Sequence, residues 1–269
     1  MPVTEVVDLE RTAERLAECV REAGALALSM FGTPIKNWTK GASSPVSEAD
    51  IAVDQLLRER LGEAEPGFGW LSEETADNPA RLEARYVWIV DPIDGTRGYI
   101  AGMPDWAVSA ALVENGRPIA ACLFAPVTDE FFMAVVGQGA TLNDAPMAVT
   151  PGSELAHIRI AGPKNLLERV AQFAPPMTVM PRVHSLALRL ARVAQGAIDA
   201  AIAGGNSHDW DLAAADLLVH EAGGVLTPFA GGPLNYNRPV PRHGMLVAAG
   251  RDRHAGLVGL LNDPRLAPS

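Results

Sequence analysis

The chain has 269 residues, of which 48% are hydrophobic, and its 22 basic and 32 acidic residues give a formal charge of −10. This length and apolar content predict a globular protein with a sizeable core, built as one large domain or two closely joined ones. The negative charge argues against a nucleic-acid-binding surface, and no apolar run reaches the ~18 residues of a membrane-spanning helix.

The two cysteines, Cys19 and Cys122, lie far apart and have no metal-binding spacing. We therefore expect two small buried side chains in a reduced, cytoplasmic protein.

The acidic composition also means that the protein would repel an anionic substrate unless another group attracted it. Bound divalent cations would provide it, because they reverse the local field of a carboxylate cluster.

The first half of the chain predicts two helices and then a run of strands. Apolar residues at helical spacing indicate an amphipathic helix over Val7 to Met30, rather than a secretory signal. A polar loop from Gly32 to Pro45 leads to a second helix over Val46 to Leu61, where Ser47 and Asp50 have capping-box spacing. Strands are predicted at residues 67–72, 86–90, 107–113, 118–125 and 130–136, of which the last three form an antiparallel meander.

The second half alternates shorter strands and helices. Strands are predicted at residues 157–161, 197–202, 225–228 and 244–249, and helices at residues 185–195, 211–222 and 253–262. A seam near Thr150 to Glu154 is expected to separate an N-terminal α+β part, residues 1–150, from a C-terminal α/β part, residues 151–269.

One motif directly follows the strand that ends at Val90, namely Asp91-Pro92-Ile93-Asp94-Gly95-Thr96. Its proline stiffens the turn, and its glycine lets the backbone bend sharply. The two aspartates place two carboxylates on one rigid turn, and such oxygen ligands suit the octahedral coordination of Mg²⁺. For this motif alone, a turn that merely closes the strand is an equally good interpretation. The spacing differs from the Asp-x-Asp of aspartyl-phosphate phosphatases, which argues against a covalent aspartate nucleophile.

Three more acidic residues lie where strands or helices meet loops. Glu73 belongs to Ser72-Glu73-Glu74 at the end of a predicted strand, and Asp211 follows Trp210 at a predicted helix start. Asp50 lies in the capping-box pattern. Taken one at a time, a solvated loop explains the glutamate, and helix capping explains both aspartates. A shared metal site becomes the better interpretation when all of these acidic elements are considered together.

Three sequence blocks resemble, in their order along the chain, the inositol monophosphatase superfamily of metal-dependent, lithium-sensitive phosphatases. The blocks are Ser72-Glu73-Glu74, Trp88 to Thr96, and Trp210 to Ala214 with the trailing Glu221 to Gly224. The resemblance covers nearly the whole chain. It implies a layered α/β/α/β/α sandwich, hydrolysis of a small phosphate monoester, and a homodimer.

The resemblance also implies a role for each matching residue. Two or three Mg²⁺ ions would be held by Glu73, Asp91, the backbone carbonyl of Ile93, Asp94 and Asp211. Gly95 and Thr96 would present backbone N–H groups to the phosphate at a helix start. Asp50 and Thr96 would form a hydrogen-bonded pair that, together with Glu73, orients the attacking water.

Other positions differ from the inositol-specific pattern. Gly204 stands where inositol monophosphatases have a glutamate that contacts the sugar ring. Arg97 after Asp-Gly-Thr and the segment Ser44 to Asp50 resemble the 3′(2′),5′-bisphosphate nucleotidases and the histidinol-phosphate phosphatases, and Gly232 to Asn237 again resembles the nucleotidases. We therefore favour a nucleotide such as 3′-phosphoadenosine 5′-phosphate, with inositol 1-phosphate and histidinol phosphate as alternatives.

Further candidate substrate contacts are Arg97, His184, Ser185, His208 and Asp211. Arg97 could hold a second phosphate or a carboxylate, although a surface arginine beside an acidic site is an equal interpretation. His184 and Ser185 align with a substrate-contacting stretch of the superfamily, but for both histidines a structural role is the better interpretation. Some superfamily members act through protein partners, so a regulatory binding role stays open beside catalysis.

Overall fold

Helices and short strands alternate along the chain, which the computed structural model describes over residues 7–41 and 44–266. Within these residues the helices are α1 (Leu9–Met30), α2 (Glu48–Ala64), α3 (Thr96–Ile100), α4 (Lys164–Val170), α5 (Leu186–Ala194), α6 (Asp209–Glu221) and α7 (Arg251–Leu261). None of these helices has the length and hydrophobicity needed to cross a membrane.

The strands are mostly short, and the longest of them lie between residues 86 and 135. They are β1 (Asn37–Lys40), β2 (Ser44–Ser47), β3 (Gly69–Ser72), β4 (Tyr86–Asp94), β5 (Ala107–Glu114), β6 (Arg117–Ala125), β7 (Glu130–Val135), β8 (Gly139–Leu142), β9 (Ala145–Pro146), β10 (Arg159–Ala161), β11 (Thr178–Val179), β12 (Ala200–Ala203), β13 (Ser207–His208), β14 (Gly224–Pro228), β15 (Arg242–His243) and β16 (Leu246–Gly250).

Two open sheets contain most of these strands, while β1 with β2 and β13 with β15 form separate two-stranded sheets. The larger sheet has the order β3-β4-β5-β6-β7-β8-β9 and is antiparallel except between β3 and β4, which run parallel. The smaller sheet is mixed and has the order β11-β10-β12-β16-β14. The predicted antiparallel meander is confirmed as β5, β6 and β7 of the larger sheet.

Side chains that alternate along the strands divide the core between three sets of helices. On β4, Ile89 belongs to the hydrophobic cluster formed with α5 and α6, whereas its neighbour Trp88 belongs to the cluster formed with α1 and α2. On β12, Ala201 joins the cluster with α5 and α6, whereas Ile202 joins a third cluster with α4 and α7. The layers are therefore α1/α2, the larger sheet, α5/α6, the smaller sheet and α4/α7, which confirms the predicted α/β/α/β/α sandwich.

The segment expected as a polar loop, Gly32 to Pro45, instead contains one strand of a hairpin and the start of the other. Strands β1 and β2 pair antiparallel, with Trp38 opposite Val46. The side chains of β1 are mostly exposed, so its sequence lacks the apolar alternation that indicates a strand. The sequence patterns also miss α4, which is only two turns long.

Helix α6 begins earlier than the sequence predicts. It starts at Asp209, because the carboxylate of Asp211 accepts the backbone N–H of His208 at 2.6 Å and so caps the first turn. Asp211 therefore lies within the first turn and not at the helix start. The seam predicted near residue 150 stays a prediction.

Gly24 on α1 lies where a methyl group does not fit. A Cβ added there would overlap the ring of Phe124, a buried residue of β6. We expect Gly24→Ala to lower the free energy of unfolding by about 1–3 kcal/mol, the usual range for overpacking. Urea unfolding measures this change.

Gly62→Ala on α2 is the matched control, because nothing lies within 4 Å of its added Cβ. That variant should be stabilised by about 0.4–1 kcal/mol through the lower entropy of its unfolded chain. Equal changes in the free energy of unfolding for the two substitutions would contradict the packing of α1 on β6.

Candidate metal centre

The end of β4 and the start of α3 form one tight corner. Oδ1 of Asp91 accepts the backbone N–H of Ile93 at 3.1 Å. Gly95, which follows Asp94, has φ of 97° in the left-handed region that favours glycine. This turn lets α3 begin at Thr96, whose hydroxyl lies 3.0 Å from the carbonyl oxygen of Ile93. The corner therefore holds two carboxylates close to the first turn of a helix.

Three carboxylates converge at this corner. One oxygen each of Asp91, Asp94 and Asp211 lies within 4.8 Å of the other two. Burial, together with the charges of neighbouring carboxylates, raises the pKa of Asp91 and of Asp211 well above the ordinary value. A divalent cation would stabilise the ionised forms, and Mg²⁺ prefers an all-oxygen donor set of this kind. The residues present therefore fit a magnesium site.

Asp94 differs from Asp91 and Asp211 because three donors near the start of α5 surround it. The hydroxyl of Ser185 and the backbone N–H of Ala187 each donate to Oδ2 at 2.6 Å, and the N–H of Leu186 donates to Oδ1 at 3.1 Å. Burial raises the pKa of Asp94, and these hydrogen bonds oppose the increase. Sequence reasoning missed the two backbone donors. The structure places Ser185 against Asp94, and its contact with substrate stays a prediction.

The segment that precedes α5 is held by another carboxylate, that of Asp105. Its Oδ2 accepts the backbone N–H of His184 at 2.6 Å, and the ring Nδ1 of His184 lies 2.9 Å from both carboxylate oxygens. The N–H of Ser185 donates to the carbonyl of Asp105 at 3.1 Å. These contacts favour a structural role for His184, which stays a prediction. Asp105 belongs to no motif, and sequence reasoning missed it.

Glu73 follows β3 and lies beside the three aspartates, although it is outside the group whose oxygens lie within 4.8 Å of one another. Its backbone N–H donates to the carbonyl of Val90 at 3.3 Å, which continues the pairing of β3 with β4. Nζ of Lys40 lies 3.7 Å from Oε1 of Glu73 and donates to Oε1 of Glu74 at 2.6 Å. Burial raises the pKa of Glu73 to about 7, while the charge of Lys40 acts in the opposite direction.

The structure brings Asp50 and Thr96 together, as the family resemblance implies. The hydroxyl of Thr96 lies 3.0 Å from Oδ1 of Asp50. Oδ2 of Asp50 accepts the backbone N–H of Ser47 at 2.8 Å and its hydroxyl at 2.6 Å, so the predicted capping box is present. Burial raises the pKa of Asp50, and the hydrogen bonds from Ser47 and Thr96 oppose the increase.

A cavity of about 850 Å³ opens beside Asp211, and Gly204 is among the residues that line it. Arg97 is exposed on α3 and does not line this cavity. His208 stacks on Trp210 with ring centroids 4.6 Å apart, and its Nε2 lies 3.1 Å from Nε of Arg242. These contacts give His208 a structural role beside the candidate site.

Comparison with other sequences identifies relatives along most of the chain. A sequence model described as "Inositol monophosphatase family" matches residues 8–264. An inositol-1-monophosphatase of Rhizobium meliloti is 35% identical over 205 residues, which are 72% of this chain and 75% of the relative. A Streptomyces griseus protein named glucose-1-phosphate thymidylyltransferase is 36% identical over 262 residues, which are 94% of this chain and 96% of the relative. The names of the relatives therefore describe more than one reaction.

Solved structures share the fold. The extragenic suppressor protein SuhB from Bartonella henselae has a TM-score of 0.83 and 29% identity, covering 93% of this chain and 98% of that chain. An IMPase/NADP phosphatase complexed with Mg²⁺ and phosphate has a TM-score of 0.83 and 21% identity, covering 96% of this chain and 97% of that chain. The chain therefore belongs to the inositol monophosphatase family, and it is a phosphoric monoester hydrolase of that family.

The raised pKa of Glu73 predicts a pH dependence of stability. The unfolded chain keeps an ordinary glutamate pKa of about 4.3, so the folded protein binds this proton more tightly than the unfolded chain does. In the metal-free protein the contribution of Glu73 to the free energy of unfolding therefore falls as pH rises from about 4.5 through 7.

Glu73→Gln removes this titration. In EDTA, we expect the stability of the variant relative to wild type to increase between about pH 5 and about pH 8. Urea unfolding at both pH values measures the difference. A difference that stays constant with pH would contradict the buried, ionisable environment of Glu73.

Proposed function

We propose that the chain hydrolyses a small phosphate monoester at a Mg²⁺ centre whose ligands are Glu73, Asp91, the carbonyl of Ile93, Asp94 and Asp211. The observation that carries this proposal is the convergence of three carboxylates with oxygens within 4.8 Å of one another. Asp91 and Asp94 are almost fully buried, with 1% and 6% of their surface exposed. Carboxylate and carbonyl oxygens favour Mg²⁺ over metals that prefer nitrogen or sulfur ligands.

Mg²⁺ bound in this site supplies Lewis-acid stabilisation of the phosphate and lowers the pKa of water. The chain's own residues then position the reactants and move a proton. The hydroxyl of Thr96 donates a hydrogen bond to Asp50, so its oxygen can accept a hydrogen bond from the attacking water. As the water attacks, its proton passes to the Thr96 oxygen while the hydroxyl proton of Thr96 passes to Asp50. The raised pKa of Asp50 suits this carboxylate to share that proton. Gly95 and Thr96 offer backbone N–H groups to the phosphate oxygens.

Among phosphate monoesters, we favour a nucleotide bisphosphate such as 3′-phosphoadenosine 5′-phosphate. Gly204 supplies no carboxylate to a sugar ring, and the cavity that it lines, about 850 Å³, lies within the usual range of small-molecule sites. Inositol 1-phosphate and histidinol phosphate are the alternatives. A panel of these three compounds with fructose 1,6-bisphosphate separates them. If kcat/KM for the nucleotide exceeds that of the other compounds by less than about tenfold, or ~1.4 kcal/mol of transition-state discrimination, there is no reason to favour the nucleotide.

Asp94→Asn tests the metal assignment. We expect this substitution to abolish turnover, with a loss of at least about 10²–10³-fold, because it removes a charge that the cation needs. The fold should be retained, since the amide keeps the shape of the side chain and its oxygen still accepts the hydrogen bonds from Ser185 and Ala187, while only the bond from Leu186 is lost. The assay measures phosphate release with Mg²⁺, which lithium should inhibit in the wild-type enzyme, and circular dichroism checks the fold.

Asp144→Asn makes the same chemical change at an exposed turn between β8 and β9 and is the control. It should retain wild-type activity and stability. Wild-type activity of Asp94→Asn would show that the metal assignment is wrong.

A homodimer, a cytoplasmic location and a regulatory partner stay predictions. Light scattering tests the homodimer.

A further inference from the structure

The cavity beside Asp211 combines an apolar lining with two arginines. Its volume is about 850 Å³, and Leu167 and Leu186 contribute to its apolar surface. Arg182 and Arg189 line the same cavity. A ligand held at Asp211 can therefore extend into a space that offers both apolar contact and positive charge.

Arg189 is held in place by the backbone. Its Nη1 donates to the carbonyl of Ile202 and its Nη2 to the carbonyl of Val183, each at 3.2 Å. Among the described residues, no carboxylate lies within 4 Å of its guanidinium. Burial lowers the pKa of Arg189, and the nearby charge of Arg182 lowers it further, while Asp94 opposes both. A partly buried cation without a close counter-ion favours an anion beside it.

Arg182 adds a second positive charge to the cavity. It is exposed, and within residues 7–41 and 44–266 it has no hydrogen-bond or ion-pair partner. Two other charged residues that line the cavity, Lys164 and Glu168, pair with each other at 3.7 Å and so contribute little net charge. The positive charge available to a ligand therefore comes from Arg182 and Arg189.

We propose that Arg182 and Arg189 bind a second anionic group, a phosphate or a carboxylate, on the alcohol half of the substrate. The planar guanidinium suits both groups because it donates two parallel hydrogen bonds. The apolar lining would contact the part of the substrate between the two anions. This inference rests on the proposed function, because the cavity is a leaving-group subsite only if phosphate is cleaved beside Asp211.

Two matched substrate pairs test this subsite. Adenosine 3′,5′-bisphosphate differs from adenosine 3′-monophosphate by one phosphate, and 3-phosphoglycerate has a carboxylate where glycerol 3-phosphate has a hydroxymethyl group. We expect kcat/KM to be higher for the member with the second anionic group in at least one pair, by about tenfold or more, as one charge-assisted contact allows. The pair that shows the difference identifies the anion as phosphate or carboxylate.

Variants of Arg182 assign the difference to this cavity. The ratio of kcat/KM within the selective pair should fall in the order wild type, Arg182→Gln, Arg182→Glu, because loss of this charge weakens binding of the second anionic group more than binding of the phosphate that both members share. Arg251→Gln, at an exposed arginine on α7, is the control and should leave the ratio unchanged. These variants avoid Arg189, whose backbone hydrogen bonds make its replacement a risk to folding.

The outcomes separate the two proposals. Hydrolysis of the compounds with no advantage for either member that carries the second anionic group, or an advantage that Arg182→Glu retains, would overturn the subsite and leave the proposed phosphatase activity intact. Failure to hydrolyse any of the four compounds, inositol 1-phosphate or histidinol phosphate with Mg²⁺ would overturn the proposed function, and the subsite with it.

Discussion

The rest of the site depends on the burial of negative charge at the end of β4. The buried carboxylates of Asp91 and Asp94 meet the partly exposed carboxylate of Asp211 at this corner, and each ionised carboxylate there raises the cost of ionising the others. The chain meets part of this cost itself, through the donors of α5 around Asp94. A divalent cation would meet the remainder, and it would also give an acidic protein a positive point at which to attract phosphate.

The middle helix layer makes this arrangement possible. Helix α6 packs on β4, β5 and β6 and brings Asp211 to the corner, while the residue that caps α5 reaches Asp94. The loop before α5 is fixed by Asp105, so the positions of the donors depend on a contact outside the sequence motifs. The site therefore depends on how α5 and α6 lie between the two sheets, as well as on the acidic residues themselves.

Local sequence patterns predicted features within one turn or one element, whereas the layered sandwich and the pairing of Asp50 with Thr96 were expected from the family resemblance. Asp91 and Asp94 share one turn, and Ser47 and Asp50 form the expected capping box. Contacts between distant residues could not be predicted in this way. Ala187 donates to Asp94 across 93 positions, and the charge of Arg189 reaches the site through tertiary packing alone. The β1-β2 hairpin was missed because β1 is mostly exposed and carries no apolar pattern.

The most direct test of the buried carboxylate cluster as a cation site is anomalous diffraction from crystals grown with Mn²⁺ in place of Mg²⁺. We expect an anomalous peak about 2 Å from carboxylate oxygens of Asp91, Asp94 and Asp211, and loss of that peak in crystals of Asp94→Asn. A structure at saturating Mn²⁺ with no peak between these three side chains would show that the carboxylate cluster is not a cation site.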